Sequence, residues 1–222
     1  MFSIPFAGLT EDGLPSFYTN VEHTETTVDG IYFQERENKD FLKYEGPTDP
    51  TFTGSFGNTF RYKNLKLNVY ITYSGGNVIR LDPVFKAKYR DLDLTSMTND
   101  FKDRWTLPGD ENYTNVPVLF SARQYNENKD YQYAYNSYNY CDQRISKGDF
   151  VRMKEVSLSY DFPKSWLESV KINNLSLKLQ ATNLFLIYSD SKLKGQDPEF
   201  FNSGGVAAPV PKQFTFTVRV GL

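Results

Sequence analysis

The final stretch of the chain, residues 212–222, alternates strictly between apolar and polar side chains. Successive side chains of a β-strand point to opposite faces, so this alternation predicts a terminal strand with one apolar and one polar face. The apolar positions are Phe214, Phe216, Val218, Val220 and Leu222. Another surface must cover that apolar face, and whether it is a protein core or a lipid bilayer decides the function of the chain.

Two further regions show the same alternation. Residues 52–79 predict a hairpin, because alternating runs at 52–62 and 65–73 flank the dipeptide Lys63-Asn64. Residues 149–187 predict a second hairpin, with a compact connection that contains one helical turn around Trp166. The apolar positions of its second strand are Leu175, Leu177, Leu179, Ala181, Phe185 and Ile187.

The first strand of the second hairpin changes phase along its length. Val151 and Met153 share one face. The apolar residues that follow have the other parity, and they are Val156, Leu158 and Tyr160. A slip of one residue near Lys154 and Glu155 predicts a β-bulge at that point.

The remaining residues show no sustained period of either kind. We interpret residues 1–51 and 80–148 as two long loop regions and residues 188–211 as a third loop, rich in glycine and proline. The first region is expected to contain short extended pieces such as Gly30–Gln34. In the second, Asn99 is expected to cap a short helix that runs through Asp103.

The predicted connections differ in length in a regular way. In chain order they are tight, very long, short and long. Adjacent antiparallel strands place alternate connections at opposite ends of a sheet, so all short connections lie at one end and all long ones at the other. Outer-membrane barrels have this asymmetry, with short periplasmic turns and long extracellular loops. The pattern therefore places residues 1–51, 80–148 and 188–211 on the outer side.

Composition narrows the classes of function. With 25 basic and 27 acidic residues the net charge is −2, which argues against nucleic acid as a partner. One cysteine and one histidine make neither an internal disulfide nor a zinc site, and no cofactor is indicated. A mean hydropathy of −0.55 suits a water-soluble protein and equally a membrane barrel, whose strands are only half apolar. No signal peptide is visible at Met1.

A tyrosine-rich stretch in the second loop region supplies the candidate substrate-binding residues. They are Trp105, Tyr125, Tyr131, Tyr133, Tyr135 and Tyr138, with Tyr140 in the same stretch. Such rings bury a large flat area at low entropic cost and keep a polar tip, so they could stack on sugar rings or hold a peptide. The alternative is that they pack the loop against itself or against a partner protein.

Other polar residues carry weaker signals. The spacing of four oxygen donors matches no calcium-loop template, so they are interpreted as part of a solvated loop and no metal site is predicted. They are Asp190, Asp197, Glu199 and Asn202. Four cations occupy the polar parity of the strands, where they could steer an anionic solute or pair with acidic groups: Arg61, Lys66, Lys178 and Arg219. No nucleophile-elbow motif flanks His23, Ser137 or Cys141, so no catalytic residue is assigned and the chain is not expected to be an enzyme.

Five blocks of the sequence, in this order, resemble the C-terminal part of the SusC/RagA family of TonB-linked outer-membrane nutrient transporters. They are residues 54–63, 103–105, 149–163, 182–185 and 196–199. The resemblance implies an all-β fold in which antiparallel strands form the C-terminal part of a transmembrane β-barrel of about 22 strands. The family encloses an N-terminal plug in this barrel, and a SusD-like surface lipoprotein covers its mouth.

The resemblance leads to a specific expectation for residues 1–222. They would be an incomplete barrel segment in the outer membrane of a Gram-negative cell, part of an importer of oligosaccharides or peptides and not transport-competent alone. TonB would bind only through an N-terminal part that is missing here. The residues expected to contact outer-membrane lipid are Leu175, Leu177, Leu179, Phe214, Phe216 and Val218. A soluble β-sandwich that binds carbohydrate and a siderophore receptor of the wider TonB-dependent class are the alternatives.

Overall fold

A computed structural model describes residues 1–32, 37–84, 98–119, 123, 126, 130–168, 172–201 and 211–221 of the chain. The chain folds into two compact units, each assembled from two separate stretches. The first unit comprises Met1–Thr48 and Val78–Ser146, and the second comprises Asp49–Asn77 and Lys147–Leu222.

The described residues are mainly extended. The strands are β1 (Phe2–Ser3), β2 (Phe6–Leu9), β3 (Pro15–Tyr18), β4 (Thr26–Thr27), β5 (Lys43–Tyr44), β6 (Phe52–Tyr62), β7 (Leu65–Gly75), β8 (Val78–Arg80), β9 (Ile145–Lys147), β10 (Phe150–Asp161), β11 (Asn174–Ser189) and β12 (Gln213–Gly221). The α-helices are α1 (Asp130–Asn139) and α2 (Lys164–Leu167). Short 3-10 helices cover Asn99–Asp103, Asp110–Asn112, Asp142–Arg144, Ser191–Leu193 and Pro198–Phe200.

The second unit is built on a five-stranded sheet in the order β12-β11-β10-β7-β6, in which every neighbouring pair is antiparallel. Both predicted hairpins and the terminal strand are confirmed. Lys63 takes a left-handed conformation (φ 50°) in the tight turn between β6 and β7. Helix α2 confirms the helical turn around Trp166. Leu222, the last position of the predicted terminal strand, lies outside the described residues.

The predicted β-bulge is confirmed at Lys154. The ladder of β10 shifts register between Met153 and Glu155 against both neighbouring strands. On β11 the shift falls at Asn183, which has a left-handed φ of 53°. A second shift lies between Val151 and Arg152, and there Ile187 of β11 has no ladder partner on β10. Ile187 therefore does not join the rows of paired apolar residues, in contrast to the prediction. The bulges keep apolar side chains on one face along the whole sheet.

The first unit has a core of its own, which the hydrophobic pattern of residues 1–51 and 80–148 did not indicate. It contains the small sheets β2-β3-β4 and β1-β5, strand β8, strand β9 as far as Ser146, and helix α1. The buried core residues are Ile4, Phe17, Ile31, Phe41, Val84, Ala134, Tyr135, Tyr138 and Cys141. The short extended pieces expected before residue 51 are strands β1–β5. The example given, Gly30–Gln34, is wrong for Gly30–Tyr32, because no strand includes these three residues. Phe33 and Gln34 lie outside the described residues.

Helix α1 explains why Gly30 is not part of a strand. Gly30 has a φ of 80°, and a Cβ atom built on it would lie 2.3 Å from the backbone nitrogen of Ala134. Only glycine permits this close approach to the helix. The short helix predicted to run through Asp103 is present as a 3-10 helix, but Asn99 is its first residue. Thr98 occupies the N-cap position and makes no side-chain capping hydrogen bond.

Candidate functional site

The register of the five-stranded sheet places its apolar side chains on one face. Three neighbouring rows of ladder partners show this. The rows are Tyr62–Leu65–Tyr160–Leu177–Val218, then Phe60–Leu67–Leu158–Leu179–Phe216, then Asn58–Val69–Val156–Ala181–Phe214. Leu175 pairs with Val220 one row below. The six residues predicted to face lipid therefore share one face; that lipid covers it stays a prediction.

Aromatic side chains border this apolar face at both ends. Tyr62 and Tyr160 lie in the row of Leu65, and Tyr188 lies in the row of Tyr73. Along β7 the distance from Leu65 to Tyr73 is about 27 Å at ~3.4 Å per residue. For strands tilted by about 40° from the barrel axis, this length along β7 corresponds to a height of roughly 20 Å. That height is close to the ~25 Å apolar band between the aromatic girdles of outer-membrane barrels.

The opposite face is polar. Thr59 Oγ1 donates to Asn68 Oδ1 at 2.7 Å, and Asn68 Nδ2 donates to Ser157 Oγ at 3.1 Å across three strands. One row below, Arg61 is the ladder partner of Lys66. Lys178 lies in that row too, 4.0 Å from Glu155, and Arg219 is opposite Ser176. The four cations predicted on the polar parity thus share this face.

A buried ion pair lies on the same face near the other end of β10. Arg152 Nη2 lies 2.5 and 2.6 Å from the two oxygens of the Asp197 carboxylate. The side chains of both residues are more than nine-tenths buried, at 7% and 9% exposure. Glu199 Oε2 lies 3.3 Å from Arg152 Nε. Sequence reasoning did not single out Arg152, because an arginine within an alternating strand gives no signal of a distant partner.

The carboxylates considered as calcium donors bond to protein groups. Asp190 accepts hydrogen bonds from the backbone nitrogens of Lys147 and Lys192, and Asp197 accepts one from Glu199 in addition to its contact with Arg152. Asn202 lies outside the described residues. Within the described ranges, no three His, Cys, Asp or Glu residues are grouped so as to hold a metal ion.

The structure corrects half of the predicted aromatic platform. Trp105, Tyr135 and Tyr138 are buried in the first unit, so they cannot stack on a ligand in this conformation. Trp105 Nε1 donates to Glu111 Oε2 at 3.0 Å, and the Tyr135 hydroxyl donates to the carbonyl oxygen of Val118. Burial raises the pKa of both buried tyrosines. These side chains pack the unit against itself, which is the alternative that the sequence left open.

The other three members of the platform remain candidates or lie outside the described residues. Tyr131 and Tyr133 are partly exposed, and the ring of Tyr133 lies 4.6 Å from that of Tyr32. Tyr125 lies outside the described residues. Among the described residues, the platform predicted from the sequence is therefore reduced to Tyr131, Tyr133 and the exposed Tyr140 of the same stretch.

A different aromatic group is exposed on the first unit. Phe2 and Tyr44 lie on the paired strands β1 and β5, with ring centroids 5.2 Å apart and exposures of 57% and 61%. Arg80 connects them to Tyr140, because its Nη2 donates to the Phe2 carbonyl oxygen at 2.6 Å and its guanidinium lies 4.9 Å from the Tyr140 ring. Tyr140 is 48% exposed. We call Phe2, Tyr44, Tyr140 and Arg80 the aromatic patch.

Sequence reasoning missed the aromatic patch except for Tyr140. Strands β1 and β5 have two residues each, too few to show any alternation, and they lie more than forty positions apart along the chain. Desolvation lowers the pKa of Arg80, which nevertheless stays far above neutrality as arginine does in proteins. The patch thus combines a fixed cation with three exposed rings.

The three residues considered for catalysis have separate local roles. The Ser137 hydroxyl accepts a hydrogen bond from the backbone nitrogen of Ile31 at 2.8 Å, and His23 stacks on Tyr18 at 4.6 Å. Burial raises the pKa of the Cys141 thiol to about 12, so it is protonated at neutral pH. Since the thiolate is the reactive form, this geometry gives Cys141 no nucleophilic character.

The fold of the second unit defines a class of protein. Its antiparallel sheet, apolar on one face and polar on the other, is a part of the wall of an outer-membrane β-barrel, incomplete within this chain. The fold matches one chain of the RagAB peptide transporter with a TM-score of 0.68 and 21% identity, over 99% of this chain and 22% of that one. The RagAB peptide importer in the "open-open" state gives a TM-score of 0.68 over 100% of this chain. No helix in the described ranges is long and apolar enough to cross a membrane.

Sequence relatives agree with this class. The chain is 29% identical over 163 residues to TonB-dependent receptor P39 of Formosa agariphila, and 30% identical over 161 residues to TonB-dependent receptor P3 of the same organism. Each match covers 71% of this chain and 14% of the relative. No family model matches the chain. In sequence and fold the chain is a segment of a SusC/RagA-type TonB-dependent transporter.

Proposed function

We propose that this chain is part of a TonB-dependent outer-membrane importer of oligosaccharides or peptides that works with a SusD-like surface lipoprotein. The observation that carries the proposal is the two-faced sheet, whose apolar rows end in aromatic residues at a spacing close to that of a bilayer. The names of the similar proteins support the proposal, because TonB-dependent receptor indicates energised transport and RagAB peptide importer names import of peptides.

In this proposal lipid covers the apolar face, including Leu177, Leu179 and Phe216. A groove of about 350 Å³ on that face is lined by Val156, Leu158, Leu179, Ala181, Phe214 and Phe216. Ala181, which has the smallest side chain among these residues, is the ladder partner of Phe214. An acyl chain fits such a groove better than water does, because its lining is apolar.

The polar face lines the passage. On the first unit the aromatic patch takes the place of the buried tyrosines as the surface that contacts cargo or lipoprotein. Exposed aromatic rings held by an arginine are typical of recognition surfaces. Coupling to TonB and catalysis are assigned to no residue of this chain.

An uptake assay tests the proposal. Cells that express the receptor containing this chain should accumulate labelled oligosaccharide or peptide, and removal of TonB or of the lipoprotein should abolish the accumulation. Uptake that persists without TonB would contradict an energised importer. For the sandwich alternative, the 222-residue chain would be purified without detergent, where a monomer with cooperative unfolding would exclude a membrane barrel segment.

A further inference from the structure

The segment that follows β11 is attached at two points, one just before β10 and one on β10 itself. We call residues 190–201 the strap. At its start Asp190 Oδ2 accepts a hydrogen bond from the backbone nitrogen of Lys147 at 2.9 Å, and Asp190 Oδ1 accepts one from Lys192 at 3.0 Å. The same carboxylate therefore starts the 3-10 helix Ser191–Leu193 and ties it to the residues that precede β10.

The second attachment is the ion pair of Arg152 with Asp197. Asp197 also caps the 3-10 helix Pro198–Phe200 through the backbone nitrogen of Glu199, at 3.1 Å. Glu199 adds a second carboxylate beside Arg152. Charge-assisted contacts of an arginine to a carboxylate are strong and geometrically specific, and a buried arginine that lost them would be left uncompensated.

The register shows over which face the strap lies. Arg152 is the ladder partner of Thr72 on one side and of Leu186 on the other. Its neighbours in sequence, Val151 and Met153, pair with Tyr73 and Ile71 of the apolar face, so Arg152 projects from the polar face. Asp197 must therefore lie over the polar face. Leu193 and Pro198 of the strap are buried, as expected of a segment packed down rather than extended into solvent.

We propose that the strap is a fixed constriction on the inner wall of the importer, held across the polar face by Arg152. This inference rests on the proposed function, because it takes the polar face to line the passage. Two attachments at Asp190 and at Asp197 prevent the strap from swinging outward about either one. The strap thus sets an upper limit on the size of cargo that passes this part of the wall.

The primary test measures access to the polar face rather than transport. In the full receptor, Thr72→Cys places a thiol beside Arg152, and Thr217→Cys places a matched thiol on the same face in the row of Lys178. Because Cys141 is buried, labelling of the native thiol should be slow. A membrane-impermeant maleimide added from outside should label position 72 slowly. Addition of Asp197→Asn should raise that rate several-fold and leave position 217 unchanged.

Asp197→Asn suits this test because asparagine still caps a helix, so the exchange removes the charge and keeps the turn. Glu199→Gln removes only the charge of the longer, 3.3 Å contact and should raise the rate less. Equal labelling of position 72 with and without Asp197→Asn would overturn the proposal. So would an increase of the same size at position 217, because a general loosening of the wall, rather than release of the strap, would explain it.

A second measurement connects the strap to cargo size. The ratio of uptake of long to short oligomers of one cargo should rise in the Asp197→Asn receptor and stay unchanged in a Lys178→Gln receptor. An unchanged ratio together with faster labelling of position 72 would contradict the constriction. Failure of the unmodified receptor to import any oligomer would instead contradict the proposed function, whereas the labelling result would still decide where the strap lies.

Discussion

The ring of Tyr73 lies across Gly54 on the neighbouring strand. The two residues are ladder partners of β7 and β6, and a Cβ atom built on Gly54 would lie 2.5 Å from Tyr73 Oη and 2.6 Å from Cζ. An aromatic ring placed over a glycine supplies packing that the glycine itself lacks. On the opposite face Tyr70 covers Gly57 in the same way, with a closest approach of 3.0 Å. The two pairs hold β6 to β7 from both sides.

Substitution of Gly54 should therefore destabilise the β6–β7 hairpin. We expect Gly54→Ala to cost about 1–3 kcal/mol, because the added methyl group forces Tyr73 out of place. Tyr73→Ala removes the obstacle, so the double variant should lose less than the sum of the two single variants. The urea midpoint of the receptor in detergent measures this coupling. Ser55→Ala, on the next residue of β6, is the control, and an additive double variant would contradict the packing.

The rows of the apolar face predict how the cost of a charge changes with depth. Leu179 lies one row further from the aromatic border at Tyr62 and Tyr160 than Leu177 does. A basic side chain costs about 2–4 kcal/mol at the midplane of a bilayer and roughly 0–1 kcal/mol near its surface. Leu179→Arg should therefore reduce assembly of the receptor more than Leu177→Arg.

The control for that series is on the other face. Lys178→Leu should be tolerated, since Lys178 projects from the polar face between these two leucines. Assembly is measured as the fraction of receptor in outer-membrane fractions that resists unfolding by detergent without heating. Equal effects at positions 178 and 179 would contradict the assigned facing.

The buried pair of Arg144 and Asp100 should stabilise the first unit. Arg144 Nη1 lies 2.6 Å from Asp100 Oδ2, and Arg144 Nη2 donates to the Asp82 carbonyl oxygen at 2.6 Å. Removal of one member leaves a buried charge without its partner, so Arg144→Leu should cost about 3–5 kcal/mol. Pulse proteolysis in urea measures the loss. Replacement of both charges by leucine should cost less than Arg144→Leu alone, and an equal cost would contradict the pairing.

The thiol of Cys141 should be unreactive and should make stability sensitive to alkaline pH. Burial raises its pKa from 9.0 to about 12. Between these values the unfolded chain has lost the proton that the folded chain keeps, so stability is full below pH 9 and falls as pH rises toward 12. The slope from this group is at most about 1.4 kcal/mol per pH unit.

Two measurements check this expectation for Cys141. A thiol-reactive disulfide should label Cys141 slowly at pH 7.5 in the folded protein and quickly in urea. In Cys141→Ser the decrease in the urea midpoint above pH 9 should be smaller, and what remains reports Tyr135 and Tyr138, whose pKa values burial also raises. Fast labelling of the folded protein would show that the thiol is accessible.

Replacement of a tyrosine by serine should have different effects on uptake and on receptor assembly at exposed and at buried positions. Tyr44→Ser and Tyr140→Ser in the aromatic patch should lower uptake, or binding of the lipoprotein, without lowering the amount of assembled receptor. Tyr135→Ser should lower the amount of assembled receptor instead, because it opens a cavity in the core of the first unit. Normal uptake by the Tyr44→Ser, Tyr140→Ser double variant would remove the patch from the recognition surface.

The sequence predicted the structure best where apolar positions recur every two residues along a strand. The strands of the large sheet and the bulge at Lys154 were predicted correctly because two-residue alternation is visible without knowledge of the partner strand. Helix α1 was missed for the opposite reason. Its buried positions include Ser137 and Asn139 beside Tyr135 and Tyr138, so polar residues interrupt any apolar period.

The candidate site was less predictable than the fold. Tyrosines of one dense stretch divide between the core and the surface, and composition cannot tell Tyr138 from Tyr140. The contacts of Arg152 with Asp197 and of Arg80 with Phe2 join residues 45 and 78 positions apart. Such contacts depend on the packing of whole elements, which no local pattern reports.

The bulges also explain how strands of unequal length fit side by side. Strand β11 has 16 residues and its neighbour β10 has 12, and β11 takes up part of its excess at Asn183 and Ile187. Each extra residue coils the ribbon locally and increases its twist. The register shifts thus give this pair of strands the local coiling on which closure of a barrel depends.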